Sequence, residues 1–71
     1  MPGPNLITET GRALYGVRWQ SEMARDLGVN ERTVRRWAAG EYEAPDGVYA
    51  ELRALATRRL RLLASIRAKL Q

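Results

Sequence analysis

The chain reads as an all-α protein of about four helices, the last of them long. Apolar residues recur at spacings of three and four throughout, and the β-branched residues are scattered, none alternating over four or more positions. Glycines at 16, 28 and 40 fall where successive periodic stretches end, as helix stops should.

Residues 1–5, which open Met1-Pro2-Gly3-Pro4, read as a flexible tail, and residues 6–71 as one domain. The first helix is expected to start at a cap supplied by Asn5 or Thr8, to bury Leu6, Thr10, Ala13 and Leu14, with Ile7 a further candidate, and to stop at Gly16. Gly11 within it costs about 1 kcal/mol relative to alanine. The second helix runs from Trp19 or Gln20 to Leu27, spaces Trp19, Met23 and Leu27 four apart with Ala24 beside them, and ends at Gly28. Asn30 is a strong cap for the third, which buries Val34, Trp37 and Ala38 and terminates at Gly40. After a loop containing Pro45, the fourth runs from Asp46 or Gly47 toward Leu70.

At 71 residues the chain has room for one thin core, burying about 60% of the surface its unfolded state exposes, so support from a second copy is a natural expectation. It contains no cysteine and no histidine. Disulfides, thiolate or imidazole metal sites, cysteine nucleophiles and histidine acid/base schemes are thereby excluded. No enzyme activity, cofactor, metal or small-molecule substrate is implied. No apolar run approaches a secretory or membrane-spanning length, so a cytoplasmic location is expected. The net charge is +4, and eleven of the twelve basic residues are arginine, with Lys69 the exception. Arginine's planar fork suits phosphates and guanine edges. The charge is segregated: residues 31–40 carry +2, residues 41–51 carry −4, and residues 52–71 carry +6 with no acid.

The informative stretch is residues 20–37, two short helices joined by a three-residue turn. Helices that cross steeply need a small residue at the crossing, which Ala24 supplies, and the turn needs a positive φ, which Gly28 adopts without strain. Val29 and Val34 plug the angle between them, and Trp37 anchors the far end of the third helix. Gln20, Ala24, Gly28, Val34 and Trp37 at this spacing resemble the helix-turn-helix pattern of phage-repressor-like DNA-binding proteins, the lambda-repressor or Cro type. Trp37-Ala-Ala-Gly40 followed by Pro45 also resembles that family, in which a W-x-x-G segment closes the recognition helix and a proline opens the next. The resemblance covers about residues 6–55. The segment from Gly40 to Pro45 is one residue longer than usual, and one long basic helix stands where the family has a fifth short one.

The resemblance implies a compact helix-turn-helix domain whose recognition helix, residues 30–39, lies in the major groove of double-stranded DNA. At 100° per residue from Glu31, the buried face of that helix centres near 295°, while Arg32 and Arg36 fall at 100° and 140°, opposite the core, with Arg35 and Thr33 flanking them. Arg32 and Arg36 are therefore expected to read base edges, since arginine binds guanine O6 and N7 with two hydrogen bonds. Glu31 either accepts from cytosine N4 or pairs with Arg35 one turn on. Gln20 either contacts backbone phosphate from a helix N-terminus or simply caps that helix. Arg35, Thr33, Arg25 and Arg18 are candidates for flanking or phosphate contacts, and Trp19 and Trp37 belong to the core rather than to a base-stacking platform.

These features point to sequence-specific DNA binding by a small bacterial or phage transcriptional regulator. The rival is a protein-interaction module on the same scaffold, using the last helix. RNA is a weaker partner, because A-form major grooves exclude a helix, and a membrane surface is not needed to occupy the last helix's apolar stripe. Residues 46–70 in one helix would span about 37 Å, against a diameter a little under 30 Å for a compact chain of this length with a radius of gyration near 11 Å. Leu60, Leu62, Leu63, Ile66 and Leu70 would then overrun the core, and residues 55–70 are the expected homodimer segment. Arg59, in line with Leu55, Leu62 and Ile66, is the odd residue of that stripe.

Overall fold

The computed structural model describes residues 4–71 of the chain. It is all-helical: α1 (Pro4–Tyr15), α2 (Trp19–Leu27), α3 (Glu31–Ala39) and the long α4 (Asp46–Lys69), with a single 3₁₀ turn, Gly16–Arg18, between the first two. That turn is the one helical element the apolar spacing does not announce. It follows from Gly16, whose φ of 82° ends α1 and redirects the chain toward Trp19.

Helix α1 departs from expectation at its start and in its buried face. It already begins at Pro4, a position where a proline's missing amide has no intrahelical partner to lose, so Asn5 and Thr8 lie inside the helix rather than capping it. Of the expected tail, Pro4 and Asn5 belong to α1, and residues 1–3 lie outside the described residues. Ile7, Gly11 and Leu14 face the core, whereas Leu6 and Ala13 are exposed and Thr10 is half-buried. The stripe is turned by one residue because Gly11 serves as a core contact: its missing side chain leaves the space that Trp19 fills.

Helices α2 and α3 end by the same device. Gly28 and Gly40 are left-handed, with φ of 69° and 80°. In the first, the Val29 amide donates back to the Ala24 carbonyl at 2.9 Å and the Gly28 amide to Arg25. In the second, Glu41 donates to Arg36 at 3.0 Å and Gly40 to Trp37 at 3.1 Å. Each is a Schellman closure that satisfies carbonyls a helix end would otherwise leave open. The Asn30 side chain caps α3 by accepting from the Arg32 amide at 2.9 Å.

The core joins Ile7, Leu14, Trp19, Met23, Ala24, Val34, Trp37, Ala44 and Leu52, with Val29, Val48 and Leu55 packed against it. Ala44 is its unforeseen member, a loop residue drawn inward just before Pro45. Helix α4 contributes Val48, Leu52 and Leu55 and then leaves the body. The molecule therefore measures 45 × 24 × 20 Å, with a radius of gyration of 13.1 Å rather than the 11 Å of a compact chain. Arg59 explains its place in the apolar line. Its Nη1 donates to the Leu14 carbonyl at 2.7 Å, which satisfies an open carbonyl of the last turn of α1 with a cation, the sign a helix C-terminus favours. Nearby, the Tyr15 hydroxyl donates to Asp26 at 2.8 Å and ties α1 to the end of α2. Among the described residues, no helix is long and apolar enough to cross a membrane.

Candidate nucleic-acid interface

The outward face of α3 is set by what faces inward. Val34 and Trp37 are buried, so residues 32, 35, 36 and 39, on the other side of the cylinder, face solvent or are only half-buried. Together with Gln20 in the first turn of α2, Arg32, Arg35 and Arg36 line one open concavity, floored by Ala38 and Ala39 and edged by Glu41. The two alanines keep the floor low between long basic side chains. Arg18 at the N-cap of α2 makes no side-chain hydrogen bond to that helix, and Gln20 is turned into the concavity.

The arginines differ in their partners. Arg35 donates to Glu31 through Nη1 at 2.8 Å, one turn apart along α3, so the Glu31 carboxylate is engaged within the protein. Glu22 and Arg25 approach to 3.9 Å, a solvent-exposed contact. These are the ion pairs among the described residues, and they leave Arg32 and Arg36 without a carboxylate. Two arginines at i,i+4 repel mildly on an isolated helix, so this pair gains when an anion or a guanine edge binds against it.

Gln20, Arg32, Arg35 and Arg36 thus come together. Thr33, Arg25 and Arg18 do not line the concavity: Thr33 is half-buried, and Arg25 and Arg18 are exposed elsewhere. Trp19 and Trp37 are buried and offer no stacking platform.

Two residues of the surface are not evident from the sequence pattern. Glu41 brings a carboxylate to the rim of a basic concavity. Tyr42 is 60% exposed, and the Arg36 guanidinium carbon lies 5.5 Å from its ring centroid, a cation–π distance. The signal for both was available in Gly40, since a left-handed residue there reverses the chain over the last turn of α3.

Compared with protein-family models, with curated proteins and with solved structures, the chain shows no match to any.

Proposed function

We propose that this chain binds double-stranded DNA by laying α3 in the major groove, and that it acts as a small bacterial or phage transcriptional regulator of the lambda-repressor or Cro type. The observation that carries the reading is the pair Arg32 and Arg36, on the face of α3 opposite Val34 and Trp37, with no carboxylate partner and with Gln20 beside them. In this reading Arg32 and Arg36 contact base edges, and Gln20 and Arg35 position the helix on the backbone, with Arg25, Arg18 and Thr33 as peripheral contacts. Glu31 acts through Arg35, whose guanidinium it holds.

Phosphate contacts release counterions, so affinity should fall steeply with salt, each neutralised phosphate adding about −0.9 to the slope of log affinity against log salt concentration. Fluorescence anisotropy titrations on duplexes enriched from a random library, repeated across a salt series, test this. Absence of duplex binding at low salt would refute it.

The second element of the proposal is a homodimer through residues 55–70, where α4 carries its apolar residues past the body. A two-fold pair of copies would present two recognition helices to one face of the duplex, about 34 Å apart for half-sites one turn apart.

A further inference from the structure

We propose that Tyr42 is a positioning residue for Arg36, holding its guanidinium on the tyrosine ring so that the N–H fork is presented to guanine at one position of the DNA site; this rests on the DNA-binding reading above. The geometry begins at the end of α3. Gly40, at φ 80°, turns the chain back, and the Glu41 amide donates to the carbonyl of Arg36 itself at 3.0 Å. The residue after Glu41 is thereby tied to the backbone of the arginine it faces, and that residue is Tyr42. Its ring lies 5.5 Å from the Arg36 guanidinium carbon.

The chemistry of the pair suits base reading. A guanidinium 5.5 Å from a ring centroid is held there by its charge and not by hydrogen bonds, so its N–H groups stay available for the two hydrogen bonds to guanine O6 and N7. An unsupported arginine must lose the freedom of several side-chain torsions on binding, whereas one already held against a ring loses less. Arg32 has no such support, so the two readers are unequal: Arg36 should be the more selective. Tyr42 also stays 60% exposed with Arg36 beside it, so the ring is not buried for the sake of the core.

The experiment uses the 71-residue chain and the duplex it enriches from a random library. Each duplex is prepared with guanine and, at the position protected by Arg36, with 7-deazaguanine, which lacks the N7 acceptor. Wild type should lose about tenfold on the modified duplex, the loss of one hydrogen bond of a bidentate pair. Tyr42→Ala should bind the guanine duplex about 3- to 10-fold more weakly and distinguish the two duplexes much less, while Tyr42→Phe, which keeps the ring, should restore both affinity and discrimination. Discrimination unchanged in Tyr42→Ala would overturn the proposal. So would a Tyr42→Phe variant as weak as Tyr42→Ala on every duplex, since the hydroxyl would then be contacting phosphate. The ring contact is also read without DNA: the Arg36 δ-proton NMR resonances should lie upfield in wild type and in Tyr42→Phe, and return to ordinary positions in Tyr42→Ala. If wild type enriches no duplex while that upfield shift is present, the DNA reading has failed and the Arg36–Tyr42 contact has not.

Discussion

Trp19 occupies the space that a side chain at position 11 would need. A Cβ built on Gly11 would stand 2.5 Å from Cδ2 and 2.9 Å from Cζ3 of the indole, far inside contact distance. Gly11 lies in the middle of α1, where alanine is intrinsically better by about 1 kcal/mol. The two effects oppose each other, and packing should win, because both partners are buried and the atoms in the way belong to a rigid ring. Gly11→Ala is expected to destabilise the fold by about 1–3 kcal/mol, the usual cost of overpacking, rather than to stabilise it. Urea denaturation followed by tryptophan fluorescence decides the sign.

That contact also shows where sequence reading succeeds and where it stops. The ends of α2 and α3 are legible because Asn30, Gly28 and Gly40 each do something local: a side chain accepts an amide two residues on, or a backbone takes a φ that other residues resist. The outward position of Arg32 and Arg36 is legible for a similar reason, since one helix's periodicity fixes it once Val34 and Trp37 are placed inside. The buried face of α1 is legible only in part: Leu14 and Ile7 are buried as their spacing suggests, but a count of apolar side chains gives a glycine no weight, and Gly11 counts by what it lacks. Arg59 looks misplaced in an apolar line because its partner is a backbone carbonyl 45 residues away, and no residue type marks that carbonyl. The place of Tyr42 beside Arg36 follows from the chain reversal at Gly40, a signal carried by the glycine and not by apolar spacing.

The Tyr15 hydroxyl should make the fold sensitive to alkali. Burial first, then the hydrogen bond it donates to Asp26 and that carboxylate's charge, push its pKa from 10.0 to about 12, against a smaller opposing effect of Arg59. A group whose folded pKa lies above its unfolded value stabilises the fold fully below the unfolded value, and that contribution is lost as pH rises through the folded one. The window here is pH 10.0 to about 12. Tyr49 is shifted in the same direction by burial and by Glu43 and Asp46. The urea midpoint is therefore expected to fall across that window, and to fall less in Tyr15→Phe. Phenolate absorbance should show a tyrosine titrating near the upper end of that window in wild type and missing from that variant.

Base readers and backbone contacts should separate in mutant affinities. Arg32→Ala and Arg36→Ala are each expected to cost about 1–3 kcal/mol on the preferred duplex and to relax sequence preference. Gln20→Ala and Arg25→Ala should weaken preferred and scrambled duplexes alike. Equal losses on both duplexes for the α3 arginines would reassign them to phosphate.

The end of α4 projects beyond the body of the molecule. Its 24 residues span about 36 Å, in a molecule 24 × 20 Å across its shorter axes. Beyond Arg59 the helix has left its own core, and Leu60, Leu62, Leu63, Ile66 and Leu70 are 41–80% exposed. Leu62, Leu63, Ile66 and Leu70 continue, at 100° per residue, the stripe of Val48, Leu52 and Leu55 that packs on α1 to α3. Aliphatic residues in phase with a core but past its end cost free energy in water unless covered. An antiparallel second copy would cover them symmetrically: pairing residues whose numbers sum to 125 sets Leu62 against Leu63, Leu55 against Leu70, and Arg59 against Ile66. The basic residues of 52–71 repel across such a contact, so dimerisation should strengthen as salt screens them, opposite in sign to the effect of salt on DNA binding. Sedimentation equilibrium on the intact chain and on a Leu63→Glu, Ile66→Glu double variant reads both effects. A salt-strengthened dimer at roughly tens of micromolar, lost in the double variant, is expected. An intact chain that stays monomeric, or a dimer indifferent to both glutamates, would place the contact elsewhere.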